Sequence, residues 1–322
     1  MSDLYPNQTA ARKNWILRHR GPRRPRDPWK AAPFIVEIER SANGQPEPTA
    51  TLFLTNSECP WHCLMCDLWQ YTLPDRTPPG SLTGQIQSAL QTLPPVNTLK
   101  LYNAGSFFDP KAVPTAELEA IARACSQFER VIVECHPALV NRSSVLRFKN
   151  ALQGQLEIAM GLETAHPEVL EKLNKGITLD GFRQAAASLA KHAIDLRTFI
   201  LLRPPFLSEE EGIEWAVQSV RFAQECGSLA TVIIPTRAGN GALDQLQTQG
   251  LFSPPQIASL EFTLAQSIQH RQQGNVFADL WDLETFSRCS HCYPQRRQSL
   301  EAMNLSQLPT PPIECPMCPT NA

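Results

Sequence analysis

Short apolar runs alternate along this chain with longer segments whose apolar residues recur at helical spacing. From residue 49 onward the pattern predicts six strands, at residues 51–54, 98–102, 130–135, 156–162, 196–202 and 229–234. It predicts helices at residues 85–93, 114–125, 167–173, 179–192, 209–226 and 255–271. Strands that alternate with helices pair in parallel through right-handed crossovers, so we expect an α/β fold, a partial (β/α)6 barrel. Active sites of such barrels lie at the carboxyl ends of the strands.

Residues 1–48 depart from this alternation and are predicted to form a basic arm. Eight basic residues and one acidic residue lie within residues 12–30, and prolines exclude a regular helix at residues 21–26. The alternation at residues 34–39 predicts a further strand, paired on an edge of the sheet. Two roles stay open for the arm: a phosphate-binding patch, for example for RNA, or a solvated arm that packs across the barrel. Deletion of residues 1–30 is expected to leave metal assembly elsewhere in the chain intact.

Composition limits the class of protein. The 322 residues leave room for one large α/β domain with a small appendage, and the 42% of hydrophobic residues suffice for a substantial core. The net charge of −2 excludes a polycation. The chain has no run of roughly 18 apolar residues, as a membrane helix needs, and residues 1–6 lack the apolar core of a signal peptide. We therefore expect a cytoplasmic protein without a membrane partner, in which ten cysteines indicate metal ligation rather than disulfides.

Three cysteines, Cys59, Cys63 and Cys66, follow the first predicted strand at CxxxCxxC spacing. Three thiolates on one short loop can hold three irons of a 4Fe–4S cluster and leave the fourth iron open to a ligand. A cluster that only carries electrons would take a fourth cysteine, but the next one is Cys125, far outside the loop. A zinc loop that includes His62 is the alternative, although structural zinc sites usually take four ligands in two pairs.

Small and polar residues follow the second, third and fourth predicted strands, where a barrel site would lie. The second strand is followed by Asn103, Ala104, Gly105 and Ser106. Small residues there let the backbone approach a ligand closely. The third strand ends in Glu134 and the fourth in Glu163, and a carboxylate buried at a strand end needs a partner. The alternative for each carboxylate is an internal salt bridge, with Arg130, Arg197 or Arg203 as candidate partners.

The last two predicted strands end in less specific signals. Arg203 precedes two prolines, which force the chain to leave the sheet in an extended conformation. Thr236 and Arg237 follow the sixth strand, where they would face the mouth of the barrel and contact a substrate. A structural role for Arg237 stays open.

The carboxyl-terminal tail, predicted to cover residues 286–322 after a core at residues 49–285, contains two CxxC pairs. The pairs are Cys289 with Cys292 and Cys315 with Cys318, and 22 residues separate them. Two such pairs supply the four thiolates of a structural zinc site, which we favour. A second, fully ligated 4Fe–4S cluster is the alternative. The tail has little apolar mass, so a metal would supply its stability.

The CxxxCxxC loop after a first strand resembles the signature of radical S-adenosylmethionine (SAM) enzymes. The resemblance implies that family's TIM-like barrel, an open iron that chelates SAM, and cleavage of SAM to methionine and a 5′-deoxyadenosyl radical. It also implies an electron donor such as flavodoxin or ferredoxin. Met65 stands where many members have an aromatic residue, at a position that contacts adenine through its backbone. The implied SAM contacts are Met65, Asn103, Ala104, Gly105, Ser106, Glu134, Glu163 and Arg203.

A closer resemblance covers roughly residues 50–240. The segments 100–110, 161–164, 174–176 and 204–206 together resemble the radical enzymes of archaeosine synthesis and their bacterial relatives, on an elongator-like or coproporphyrinogen dehydrogenase-like core. This resemblance implies modification of a tRNA base, although the tail departs from that pattern. A small molecule or a peptide is the alternative substrate. From another class, a zinc-ribbon nucleic-acid-binding protein without catalysis would leave the three cysteines without a fourth unexplained.

Overall fold

The computed structural model describes residues 4–318, in which an eight-stranded sheet curves into a nearly closed barrel. The strands follow one another across the sheet in chain order. They are β1 (Phe34–Arg40), β2 (Pro46–Leu54), β3 (Thr98–Asn103), β4 (Arg130–Glu134), β5 (Gln155–Glu163), β6 (Asp195–Leu202), β7 (Ala230–Pro235) and β8 (Asn275–Ala278). Strand β1 pairs antiparallel with β2, and all later neighbours pair in parallel.

Helices connect the parallel strands. The α-helices are α1 (Thr9–His19), α2 (Ser81–Leu90), α3 (Leu118–Ala124), α4 (Ser143–Ala151), α5 (Pro167–Lys172), α6 (Leu179–Lys191), α7 (Glu209–Glu225), α8 (Ala242–Thr248), α9 (Ile257–Gln269) and α10 (Tyr293–Ser306). Short 3₁₀ helices lie at Leu68–Tyr71, Thr115–Glu117, Pro137–Leu139 and Leu283–Phe286. Helix α7 begins with a capping box: the Ser208 hydroxyl accepts from the backbone N–H of Glu211, whose carboxylate accepts from that of Ser208.

The predicted barrel is confirmed, with one correction to its strand count. Each of the six predicted strands is present, and the predicted edge strand is β1, which pairs Phe34 with Leu52. The described residues contain a seventh parallel strand, β8, that the sequence did not indicate. Strand β8 has only four residues and no predicted helix follows it, so the alternation of strands and helices did not reveal it. The unpredicted helices α1, α4, α8 and α10 are short or rich in polar residues.

The segment predicted as a basic arm contains two elements that pack on the barrel. Helix α1 buries Trp15 and Ile16 in a cluster that includes residues of α8. Strand β1 completes one edge of the sheet, and the proline-rich segment between them has no regular structure. The division into residues 1–48, 49–285 and 286–322 stays a prediction.

Six charged side chains pair with one another in the lower half of the barrel, by which we mean the half nearer the amino ends of the parallel strands. They are Glu39, Lys100, Arg130, Glu157, Asp195 and Arg197. Arg197 lies at the centre, with Nε 2.6 Å from Glu157 Oε1 and Nη2 2.7 Å from Glu39 Oε1. Burial opposes ionisation of Glu39, but Arg197 and Lys100 outweigh it and lower the pKa of Glu39 to about 2. Each of these charges therefore has a partner within the chain.

No helix among the described residues has both the length and the apolar character that crossing a membrane requires.

Candidate active site

The three predicted cluster ligands lie on the loop after β2, at the upper end of the barrel, where the parallel strands end. Cys63 is buried, and Cys59 and Cys66 are partly buried. Burial raises the pKa of all three thiols, that of Cys63 to about 12. Repulsion from the charges of Cys63, Cys59 and Asp67 raises the pKa of Cys66 further. Thiols in this environment need a positively charged centre to become thiolates.

Side-chain amides hold the cysteine loop in place. The Asn240 amide donates to the carbonyls of Leu64, at 2.8 Å, and Cys66, at 3.2 Å. The Asn174 amide donates to the carbonyl of His62 at 3.2 Å, and Leu64 itself is fully buried. These contacts satisfy loop carbonyls that a strand or helix would otherwise have paired, so the loop has a defined conformation.

The amino-terminal segment supports the same loop. Trp15 and Ile16 of α1 are in one buried cluster with Leu64, and Arg20 Nη1 lies 2.5 Å from Glu58 Oε1, next to Cys59. The expectation that deletion of residues 1–30 leaves metal assembly intact stays a prediction, although that deletion removes packing and an ion pair from the loop.

The segment after β3 presents an unsatisfied polar group. Asn103 is 3% exposed, and neither its amide oxygen nor its amide nitrogen has a hydrogen-bond partner among residues 4–318. A Cβ on Gly105 would lie 3.0 Å from Asn56 Nδ2, so the glycine keeps this corner open. Ala104 is half-buried, and the Ser106 hydroxyl accepts from the backbone N–H of His136 at 3.0 Å. Leaving a buried amide unpaired is costly, and the Asn103 amide is available to a ligand.

Glu134, at the end of β4, lacks a close cation. The backbone N–H of Asn103 donates to Glu134 Oε2 at 3.1 Å. Burial raises the pKa of Glu134 to about 7, and the Asn103 N–H and the charge of Lys175 lower it by less. At neutral pH this carboxyl is thus divided between its neutral and charged forms.

Glu163, at the end of β5, forms a salt bridge with a residue that the sequence did not indicate as its partner. Lys175 Nζ lies 2.5 Å from Glu163 Oε1, while the predicted candidates Arg130 and Arg197 pair in the lower half. Burial opposes the charge on Lys175, but Glu163 and Cys63 outweigh it and raise the pKa of Lys175. A Cβ on Gly161 would overlap the Glu163 carboxylate and the Lys175 ammonium, so this glycine makes room for the pair.

An aromatic pair borders the same site. The rings of Trp61 and His136 stack with centroids 3.6 Å apart. His136 Nδ1 accepts from the Ala138 N–H, so Nε2 carries the proton that it donates to the Lys175 carbonyl at 3.0 Å. Burial and the Lys175 charge lower the pKa of His136 to about 3, so it is neutral at physiological pH.

These residues fit a 4Fe–4S cluster with SAM. Three neighbouring thiols without a fourth leave one iron available to a ligand. Beside them the site offers what the amino, carboxylate and hydroxyl groups of SAM need: the Lys175 ammonium, the Glu134 and Glu163 carboxyls, and the unpartnered Asn103 amide. Met65 is partly buried against the cluster of apolar residues beneath the loop.

Three predicted site residues bond within the chain. Arg203 Nη1 pairs with Glu209 at 2.5 Å and donates to the Pro254 carbonyl at 3.0 Å. Thr236 is buried, and its hydroxyl donates to the Leu202 carbonyl at 2.8 Å. Arg237 Nη2 pairs with Asp279 at 2.7 Å. A SAM contact for Arg203 and substrate contacts for Thr236 and Arg237 stay predictions, with structural bonds now known for all three side chains.

A basic cleft of about 590 Å³ opens beside Cys59. Its charged lining consists of Lys13, Arg23, Glu58, Asp75, Arg76 and Lys111. Glu58 is already paired with Arg20 and Arg23, so positive charge dominates the cleft. Lys13, Arg76 and Lys111 are exposed.

The four cysteines of the tail come together. The sulfur atoms of Cys289, Cys292, Cys315 and Cys318 all lie within 4.8 Å of one another. The predicted convergence is confirmed, and the group has the composition of a metal site.

Two kinds of functional residue were missed from the sequence. Lys175 lies in the segment 174–176 that carries part of the resemblance, but a lysine in a loop gives no signal of the strand end it will reach. Asn174 and Asn240 support the cysteine loop from segments more than 100 residues away. Trp61 lies inside the loop, where an aromatic residue between cysteines was a signal that could have been used.

The chain is 25% identical over 284 residues to archaeosine synthase subunit beta of Methanosarcina acetivorans, an alignment that covers 83% of this chain and 81% of that protein. No protein-family profile matches the chain. The predicted resemblance to the archaeosine radical enzymes is confirmed by this relative.

Two solved structures share the fold. The Elp3 protein of Methanocaldococcus infernus superposes with a TM-score of 0.53 at 12% identity, over 79% of this chain and 63% of that one. Methylornithine synthase superposes with a TM-score of 0.51 at 14% identity, over 70% of this chain and 63% of that one. These superpositions confirm the predicted α/β barrel, and together with the sequence relative they confirm the prediction of an enzyme.

Proposed function

We propose that this protein is a radical SAM enzyme that cleaves SAM at a 4Fe–4S cluster and acts on a base in tRNA. The observation that carries the proposal is the convergence of three loop thiols with a buried Glu163–Lys175 pair and an unpartnered Asn103 amide. No internal partner completes the Asn103 amide, and no fourth cysteine lies in the loop.

Each part of the site has a distinct task. Cys59, Cys63 and Cys66 hold the cluster, which when bound supplies the electron for cleavage of SAM. The SAM-binding residues are Met65, Asn103, Ala104, Gly105, Ser106, Glu134 and Glu163, joined by Lys175 and, from the sequence prediction, Arg203. The Lys175 ammonium neutralises the carboxylate of SAM. The Glu134 and Glu163 carboxyls accept hydrogen bonds from the ammonium and hydroxyl groups of SAM. The buried position of the pair excludes water, which strengthens each of these contacts.

The basic cleft supports a polynucleotide substrate. It opens beside Cys59 and presents Lys13, Arg76 and Lys111 to solvent, which suits the phosphates that flank a base. The relative from Methanosarcina acetivorans bears the name archaeosine synthase, a second support for tRNA. A small molecule or a peptide remains the second candidate substrate. Flavodoxin or ferredoxin is the proposed electron donor, and the cytoplasm the proposed compartment.

The enzymatic proposal is tested by anaerobic incubation of the reconstituted protein with SAM and dithionite. We expect formation of 5′-deoxyadenosine, loss of its formation in Cys63→Ala, and retention in the control Cys125→Ala, which removes a buried cysteine outside the site. A colourless, zinc-only protein that forms no 5′-deoxyadenosine would favour a zinc-ribbon nucleic-acid-binding protein instead.

The substrate is tested separately, by the salt dependence of binding to bulk tRNA. Each lost phosphate contact should reduce the log–log slope by about 0.7 to 0.9. We expect this change for Arg76→Glu and for Lys111→Glu, with no change for Lys191→Glu, an exposed residue at the end of α6. If the wild type binds tRNA without salt dependence, the tRNA proposal fails and the radical SAM proposal is unaffected.

A further inference from the structure

Two of the distances between sulfur atoms of the tail cysteines are short. Cys289 Sγ lies 3.9 Å from Cys315 Sγ, and Cys292 Sγ lies 3.7 Å from Cys318 Sγ. Each short distance joins one CxxC pair to the other, so the two halves of the tail meet at a single point.

These separations match a single ion. A tetrahedral zinc site with bonds of about 2.3 Å places its sulfur atoms about 3.8 Å apart. In a 4Fe–4S cluster each thiolate binds a different iron, so the sulfur atoms stand farther apart than the ligands of one ion. A tetrahedral group of four thiolates that share one ion is the usual arrangement of structural zinc.

The thiol group lies at the amino end of helix α10. Cys292 is the residue before the helix, and Cys315 and Cys318 follow after the chain has returned along it. Arg296 of α10 holds the segment that follows the helix: it donates to the Ile313 carbonyl at 2.8 Å and pairs with Glu261 of α9. An ion at this point therefore joins the segments that precede and follow the helix.

The other end of α10 covers the free edge of β8. The Gln307 side chain, just after the helix, accepts from the Val276 N–H and donates to the Val276 carbonyl, both at 2.7 Å. The Asn304 side chain does the same for Ala278, at 2.8 and 2.9 Å. Two amide side chains thus make the hydrogen bonds that a further strand would make on this edge.

Helix α10 also reaches the opposite edge of the sheet. Its Leu305 carbonyl accepts from Arg40 Nη1 of β1 at 2.9 Å. Strands β1 and β8 are the two ends of the sheet, so the helix bridges the gap where the barrel does not close by strand pairing.

We infer that the tail binds one Zn²⁺ ion, and that this ion holds α10 as the lateral seal of the barrel across the gap between β8 and β1. The zinc belongs to the fold and not to the reaction centre, because all four of its ligands are tail cysteines and none is a residue of the cysteine loop after β2. The inference does not depend on the activity proposed above.

Metal analysis of anaerobically purified protein tests whether the tail binds one Zn²⁺ ion. We expect one zinc per chain, retained when Cys59, Cys63 and Cys66 are all replaced by alanine, lost in Cys315→Ser, and kept in Cys226→Ser. Iron that persists in the triple alanine variant, with no zinc present, would overturn the assignment in favour of an iron site.

Residue-resolved amide hydrogen exchange tests the seal. Removal of zinc from the folded wild type with a chelator should accelerate exchange at Val276 and Ala278 by at least about tenfold, because local opening then frees both amides. The Asn275 amide donates to the carbonyl of Leu229, just before β7, and the Asp279 amide to that of Ile233 in β7, so exchange at both should be unaffected. Unchanged exchange at Val276 and Ala278 after complete zinc loss would overturn the seal.

A variant that keeps the metal tests the seal separately from zinc binding. Gln307→Leu retains all four thiols and should keep its zinc, yet exchange at Val276 should become faster. Gln298→Leu, on the exposed face of the same helix, is the matched control and should change neither. Equal exchange at Val276 in the two variants would also contradict the seal.

Discussion

The two ends of this barrel bury charge in opposite ways. At the lower end Arg197 lies between Glu39 and Glu157, and Arg130 bridges Glu157 and Asp195. At the upper end, among the described residues, Glu134 forms no salt bridge and the Asn103 amide has no hydrogen-bond partner, while the charges of Glu163 and Lys175 act on the nearby Cys63. The carboxyl pKa values record the difference, about 2 for Glu39 and about 7 for Glu134.

The difference shows at which end the buried charged groups find their partners within the described residues. Buried charges persist when their partners lie within the chain, as at the lower end. Polar groups left without partners at the upper end lower stability, which is consistent with the proposal that they bind a ligand. The same sheet thus carries a structural network at one end and the proposed binding site at the other.

The largest expected effect comes from breaking the lower network. Arg197→Met leaves Glu157 and Glu39 each short of a partner, so we expect a loss of about 3–5 kcal/mol in the free energy of unfolding. Arg147→Met removes an exposed salt bridge with Glu119 and should cost at most about 1 kcal/mol. Denaturant unfolding of both variants measures this, and equal losses would show that the network is not critical.

The next effect concerns the upper end and depends on pH. A carboxyl whose pKa is higher in the folded than in the unfolded chain lowers stability above its unfolded pKa. For Glu134, with its pKa raised from 4.5 to about 7, this loss begins near the lower value and is complete above the higher one. Glu134→Gln removes this loss. Without ligands, the free energy of unfolding of the variant should therefore rise relative to that of the wild type by about 3 kcal/mol as the pH increases from 4.5 to 8.

The Glu134 prediction is checked by denaturant unfolding across that pH range. Glu129→Gln, which alters an exposed carboxyl near the opposite end of β4, is the control and should not give the gain in stability expected of Glu134→Gln. A stability difference between Glu134→Gln and the wild type that stays constant over this pH range would contradict the raised pKa of Glu134.

The smallest of these expected effects on stability concerns the space around the Glu163–Lys175 pair. Gly161→Ala puts a methyl group where the Glu163 carboxylate and Lys175 ammonium lie, and overpacking of this kind costs about 1–3 kcal/mol. SAM-dependent activity should fall far more than stability, because the pair must move. The control Gly84→Ala, in α2, has open space around its Cβ position and should not lower stability or activity.

Much of the fold was predictable because its signals are local. The apolar runs of the six predicted strands are long enough to show, and the cysteine spacing marks the loop after the first of them. Polar residues at successive strand ends then located the site, since barrel geometry brings those ends together.

The unpredicted features depend on contacts between distant segments. Strand β8 is four residues long, and its outer edge is paired by side chains of Asn304 and Gln307, which no strand pattern reveals. Glu163 could have paired with any nearby cation, and the path of the chain after α5 selects Lys175. The role of α1 beneath the cysteine loop depends on Trp15 packing with Leu64, again a tertiary contact.

The most direct test of the account compares one lysine from each end of the barrel. Lys175→Met removes the cation paired with Glu163 at the upper end, and Lys100→Met removes one of the two cations paired with Glu39 at the lower end. After anaerobic cluster reconstitution, 5′-deoxyadenosine formed from SAM with dithionite is measured per folded, iron-loaded chain. The account predicts that Lys175→Met loses this activity while Lys100→Met retains it, at some cost in stability. Equal activity in the two variants, or loss only in Lys100→Met, would contradict it.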